Sequence, residues 1–361
     1  MKYIEEYRNA ELVQKISEKL KVYDNLDISL MEVCGGHTMA IHRFGIPSLL
    51  PKGIKLISGP GCPVCVSSIN FIDKAIACSA LKEVVIATYG DLIRVPGSKS
   101  SLEKEKSKGA DVRIVYSTLE ALNIAKTNQD KKVVFLGIGF ETTAPASAVA
   151  IQKAYKEGVS NFYLLSAHKI MPPVMEALLN DDVKIDGFIC PGHVSTITGS
   201  SIYDFIPEKY KIACVVTGFE PTDLMQSIEL LTNQIANDNQ KVEIQYSRAV
   251  TKSGNTKAQA IMNEVFETRN DFWRGIGEIP DSGLKLREKY KDFNAELVFD
   301  IQIESKRENP ACICGDILRG IKTPKECKLF GKTCTPINPV GACMVSSEGS
   351  CAAYYKYSSY E

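Results

Sequence analysis

Several things are missing from this sequence, and each absence narrows what it can do. No stretch approaches the roughly 18 to 20 apolar residues needed to cross a bilayer. The opening Met1-Lys2-Tyr3-Ile4-Glu5-Glu6-Tyr7-Arg8 is charged and has no apolar core, so it is no secretory leader. An excess of either charge is also missing: 43 Lys and Arg balance 43 Asp and Glu over 361 residues. That balance leaves no polybasic footprint for nucleic acid or a membrane surface. There is no Walker A pattern, and Gly137-Ile138-Gly139 lacks the third glycine of a dinucleotide fingerprint. With 44% apolar and 24% charged residues, the composition is that of a soluble globular protein with room for two or three domains. A cytoplasmic location is expected, with neither nucleic acid nor membrane as partner.

Cysteine is plentiful instead. Twelve thiols in a reducing compartment are poorly explained as structural disulfides, which makes metal ligation or thiol redox chemistry the better expectation.

Helical spacing of Ile4, Leu12, Val13, Ile16 and Leu20 predicts an amphipathic helix over 1–24. Short apolar, β-branched runs then alternate with helical stretches: 28–33, 54–58, 83–88, 112–116, 133–138, 162–166, 187–190 and 212–217. Each run ends at glycine, proline or a small polar residue. This alternation predicts an α/β fold with parallel sheets covered by helices.

A faint repeat pairs Val33–Thr38 with Gly137–Thr143, Ser58–Cys62 with Ile189–His193, and Ala87–Asp91 with Val216–Glu220. It suggests two similar parallel-sheet α/β domains, at 27–125 and 126–250. Residues 256–273 read as helix and 275–300 as mixed. Six of the cysteines fall among turn formers in the last fifty residues. The expectation is a small cysteine-rich third domain over 251–361, with the helix of 1–26 packed on it.

Cys312, Cys314, Cys327, Cys334, Cys343 and Cys351 are separated by wide gaps among prolines and glycines. Irregular backbone of this kind suits a cluster held by four thiolates. Structural zinc sites favour paired C-x(2–4)-C knuckles, although zinc and plain buried thiols stay open. Spacing does not choose between Cys312 and Cys314.

Cys34 stands where a strand meets Gly35-Gly36, a place at which α/β proteins present ligands, with His37 three residues on. A buried structural thiol is the alternative. Gly61-Cys62-Pro63-Val64-Cys65 is a C-x-x-C at a helix start, able to cycle as dithiol and disulfide or to clamp a metal. Cys78 and Cys214 lie in apolar runs and read as core. Glu141 and His193 follow strands in the second half and could face the thiols, although capping and surface loops explain them equally well.

Four segments, taken together and in order, resemble the HypD family of [NiFe] hydrogenase maturation factors. They are Glu32–Thr38, Gly59–Cys65, Gly139–Pro145 and Met344–Tyr355. The resemblance implies a scaffold and redox protein for assembling the Fe(CN)2CO group, working with a small HypC partner. Cyanide would arrive from HypE, and the hydrogenase large subunit would be served indirectly. It also implies two α/β domains and a third carrying a [4Fe-4S] cluster. By the same resemblance, Cys34 holds the nascent iron. Cys62 and Cys65 form the redox-active or iron-binding pair, and Cys327, Cys334 and Cys351 ligate the cluster with Cys312 or Cys314. Whether the scaffold is also a catalyst is left open. The residues by themselves also allow a thiol–disulfide oxidoreductase using Cys62 and Cys65, with a structural metal in its tail.

Overall fold

A computed structural model describes residues 5–181, 183–303 and 309–357. Eleven strands are found among them. Those of the two large sheets are β1 (Ile28–Glu32), β2 (Ile54–Ser58), β3 (Val84–Thr88), β4 (Asp111–Ile114), β5 (Lys132–Gly139), β6 (Phe162–His168), β7 (Gly187–Pro191), β8 (Ala213–Thr217) and β9 (Val242–Ile244). All eight expected runs form strands, and β9, a short half-buried edge, is additional. Every residue of β1, β3, β6, β7 and β8 is buried. That is why these strands read as continuous apolar runs and not as alternating ones.

The strands form two parallel sheets, in the orders β2-β1-β7-β8-β9 and β4-β3-β5-β6. The expected contiguous domains, 27–125 and 126–250, therefore coincide with neither sheet. Strand β1 pairs with β7, Leu30 opposite Gly187, so the second sheet is inserted between β2 and β7 of the first. The repeat is real in topology but differently phased. In each sheet the first strand is flanked by the second on one side and the third on the other, which equates β1 with β3, β2 with β4, and β7 with β5. The sequence matches had instead paired turns that merely share glycine and small polar residues.

The N-terminal segment is helical from Ala10 to Leu20, with short 3-10 turns at Glu5–Tyr7 and Lys21–Tyr23; residues 1–4, Ile4 included, lie outside the described residues. The Asn9 side chain accepts the Leu12 N–H and so caps this helix. Val13, Ile16 and Leu20 pack with the outer face of the first sheet and with helix Pro221–Ala236, not with the tail as expected, because the buried stripe matches that apolar surface.

The helical reading of 256–273 holds only to Val265. From there β10 (Phe266–Trp273) and β11 (Gly277–Leu286) form an antiparallel hairpin. Phe266 and Trp273 are buried and the residues between them largely are not. The hairpin binds the second sheet: the Ile170 N–H donates to Ser282 O at 3.0 Å, and Lys169 Nζ pairs with Asp271 at 2.7 Å. Helix Thr256–Val265 packs on helix Ala144–Glu157 of the same lobe. The span 251–361 is thus divided, its first part belonging to the second lobe. The tail from 309 onwards joins a core shared by the inner faces of both sheets, in which Met31, Leu136, Cys190, Cys314 and Met344 are members. No helix among the described residues is long and apolar enough to cross a membrane.

Candidate functional site

Parallel α/β sheets bind ligands beyond the carboxyl ends of their strands, where the strand order reverses. In the first sheet that point lies between β1 and β7, and the residues there are Cys34 and His193. In the second it lies between β3 and β5, at Tyr89–Asp91 and Gly139–Thr143. The two crevices face each other across one cavity of about 560 Å³ lined by Cys34, Pro63, Tyr89, Phe140, His193 and Glu348.

Cys34 is the N-terminal flanking residue of helix Gly35–Arg43, extended at φ −145°. Its turn is built by close backbone approach. The Gly35 N–H donates to Gly61 O at 3.0 Å, and a Cβ on Gly61 would lie 2.2 Å from the Cys34 nitrogen. From below, Glu32 accepts the Cys34 N–H at 3.1 Å and the Thr38 hydroxyl at 2.6 Å. Glu32 is fully enclosed, and burial raises its carboxyl to about 8. The Cys34 thiol is half-buried; burial first, and then the nearby Glu348 carboxylate, push it up to about 12. It stays protonated at neutral pH until a cation displaces the proton, as metals do from coordinating thiols.

His37 does not reach the cavity. Its Nε2–H donates to Thr217 O at 3.1 Å and Gly218 O at 3.0 Å, and the ring stacks on Phe219. Burial drops its pKa to about 4, so the ring is neutral. His193 is exposed and stacks on Phe219, its ring centroid 3.8 Å away. It lines both the Cys34 cavity and a second one of about 820 Å³ beside it. Glu141 points elsewhere: it accepts the Met171 N–H at 2.9 Å at the start of helix Met171–Leu179, and burial holds its pKa near 7.

Two further acids belong to the cavity, Asp91 and Glu348. Asp91 accepts the Ser346 hydroxyl at 2.8 Å, anchoring the loop that carries Glu348 over Gly35. Glu348 is raised by burial and then by Asp91. Both lie in segments that the sequence marks, Ala87–Asp91 and Met344–Tyr355, but their meeting at Cys34 is not legible there, since the tail brings Glu348 in from more than 300 residues beyond Cys34.

Cys62 and Cys65 are joined as a disulfide, 3% and 0% exposed, on the short helix Pro63–Val66 directly after Gly61. A second disulfide, Cys314–Cys343, is equally buried. The segments between them touch. Pro63–Val66 packs on Ala342–Met344, the Arg274 N–H donates to Val66 O at 2.9 Å, and Gly275 lies against Gly315. Cys314 is thereby engaged, and Cys312 joins the other tail thiols. Burial and the charges of Cys312, Cys334 and Cys327 all raise the Cys351 thiol. The Val340 N–H points at Cys334 Sγ, 3.3 Å away. Cys78 and Cys214 are fully buried core residues.

The HypD family model, described as the hydrogenase formation hypA family, matches residues 8–358. A hydrogenase maturation factor HypD of Rhizobium leguminosarum bv. viciae is 49% identical over 99% of this chain and 96% of its own length. One from Cupriavidus necator is 46% identical over 99% and 97%. A hydrogenase expression/formation protein of Methanocaldococcus jannaschii is 48% identical over 96% and 97%. With nearly the whole length matched at that identity, the chain belongs to the HypD family of hydrogenase maturation factors.

Proposed function

We propose that this chain is the scaffold on which the iron moiety of [NiFe] hydrogenase acquires its diatomic ligands. The observation carrying the proposal is the placement of one half-buried thiol, Cys34, where the crevices of two sheets face each other, next to the Cys62–Cys65 turn. Cys34 holds the iron cargo together with a cysteine of a HypC-type partner. HypE supplies the cyanide group, and the finished Fe(CN)2CO unit leaves for the hydrogenase large subunit. Thiolates suit low-spin Fe(II) carrying strong-field ligands.

The tail is read as the seat of a [4Fe-4S] cluster on Cys312, Cys327, Cys334 and Cys351. The donor set fits. The Cys351 thiol lies within electrostatic reach of Cys312, Cys334 and Cys327, and a backbone N–H is aimed at Cys334. The wide gaps between these cysteines in the sequence favour the cluster over a structural zinc site, which takes paired C-x(2–4)-C knuckles. Such a cluster supplies one-electron reducing chemistry. Cys314–Cys343 and Cys62–Cys65, on segments that touch, would carry two-electron equivalents as dithiol and disulfide between the tail and the Cys34 turn.

A free-standing thiol–disulfide oxidoreductase needs a sulfur that a protein disulfide can reach. Cys62 and Cys65, at 3% and 0% exposure, offer none. The deciding measurement is an infrared spectrum of the anaerobically purified complex with HypC. Cyanide and carbonyl stretches should be present in the wild type, absent in Cys34→Ala, and lost with the cluster retained in Cys62→Ala. Their absence from an iron-loaded wild-type complex would remove the scaffold reading.

A further inference from the structure

The chain as a whole carries no net charge, but the tail does. From Arg319 to Gly341 there are five cations (Arg319, Lys322, Lys325, Lys328 and Lys332) against one acid, Glu326. The neighbouring acids are already engaged. Glu326 accepts the Thr323 N–H and hydroxyl, and Asp316 is held by Arg319 and Lys322. Lys325, Lys328 and Lys332 are exposed, the first on the 3-10 turn Pro324–Glu326 and the other two on the compact turn that follows it. That turn is closed by the Phe330 N–H donating to Cys327 O at 3.0 Å and the Cys334 N–H to Leu329 O at 2.9 Å. It also carries two of the four tail thiols, of which Cys327 is the more accessible and Cys334 is 6% exposed. Beyond it Ile337 stands 96% exposed, an apolar side chain at the edge of a basic patch.

We propose that this lysine-flanked turn is the docking surface for a small acidic protein that carries a one-electron centre. A patch of like charge around a small apolar contact steers an oppositely charged partner and fixes its orientation with little buried area, as weak electron-transfer encounters require. The accessible Cys327 edge is where a docked centre would come nearest to the four thiols. Docking moves one electron: the partner's centre is oxidised by one, the group on the thiolates is reduced by one, and no bond is made or broken. Nucleic acid fits the surface less well, because three clustered cations continue into no basic track along the balanced remainder of the chain.

The inference rests on the cluster reading above, and its test separates the two. The full chain, purified anaerobically, is titrated with an acidic [2Fe-2S] ferredoxin at low and moderate salt while its visible absorption is recorded. Binding should weaken by about 10-fold or more with added salt, and by a similar factor in Lys325→Glu/Lys328→Glu/Lys332→Glu. An equal charge change in the other lobe, Lys126→Glu/Lys153→Glu/Lys156→Glu, should cost less than about 2-fold. If the triple glutamate variant does not fold, Lys→Gln at the same three positions should give about a 3-fold loss. Unchanged affinity in the tail variant overturns the proposal, as does tighter binding of a duplex RNA than of ferredoxin. Salt-sensitive, lysine-dependent binding by a colourless chain supports the docking surface and overturns the cluster. A cluster-bearing chain that ignores ferredoxin overturns the docking surface alone.

Discussion

The two sheets share a strand order and a switch point, yet only one of them presents sulfur. Beyond β1 and β7 stand Cys34, the Cys62–Cys65 turn and His193. Beyond β3 and β5 stand Tyr89, Asp91 and Phe140, which wall the cavity and anchor the loop of Glu348. The topology fixes where a ligand can sit, and the residue after each strand fixes what it meets. The tightness of the turns differs from one glycine to the next. Gly61 is pressed against the Cys34 backbone and Gly139, in the second crevice, against the Thr143 side chain, whereas a Cβ on Gly90 would meet nothing nearer than 3.9 Å.

That asymmetry can be broken by substitution. Gly61→Ala should be the more damaging change, destabilising by about 3 kcal/mol or displacing Cys34, because backbone must move to admit the methyl group. Gly90→Ala should stay within about 0.5 kcal/mol, as an added methyl in open space does. Denaturant midpoints of the two variants check this, and equal losses would mean that the close approach at Gly61 does not limit its turn.

A second contrast concerns the acids. Glu141 of the second lobe titrates near 7 in the folded chain, against an ordinary value of 4.5. A raised carboxyl contributes stability that is complete below the unfolded pKa and is lost as pH rises through the folded one. The wild type should therefore lose up to about 3 kcal/mol from this group between pH 4.5 and 7. Glu141→Gln should not, so its stability relative to the wild type should improve across that window. A difference that stays flat with pH would show that Glu141 is ionised in the fold.

The smallest effect separates the two histidines on Phe219. His37→Ala removes a buried donor shared by two carbonyls and should cost about 2 kcal/mol. His193→Ala loses an exposed stack, about 0.5 to 1 kcal/mol. Its larger consequence should be in the infrared bands of the loaded complex, since His193 borders the cavity and His37 does not.

Most of the eight strands were legible because burial on both faces leaves uninterrupted apolar runs, while the edges β2 and β4, only partly buried, were legible by their β-branched residues, and the turns were legible by their glycines. Strand order was not, because parallel pairing is set between distant segments and β1 has no local sign that its neighbour is β7. The hairpin was hidden for a different reason. Phe266 and Trp273 are seven apart, a spacing that fits two helical turns as well as a strand buried only at its ends. At the site, Cys34 could be read from the sequence, but the placing of Glu348 beside it could not. Nor could the pairing of Cys314 with Cys343, because only the fold brings these distant thiols together.

The insertion of one sheet within the other sets the order in which this molecule can be made. The second sheet is contiguous from β3 to β6, but the helix and hairpin that complete its core come only after β9. Strands β1 and β2 must wait, because the Ser29 N–H meets its acceptor Asp186 only 157 residues later. Loops of that length close slowly and late. The wall of the Cys34 cavity that holds His193 therefore arrives after most of the chain, and the lid carrying Glu348 arrives last of all. A truncated or stalled chain presents the Cys34 thiol without its cavity, so the site is complete only when synthesis nearly is.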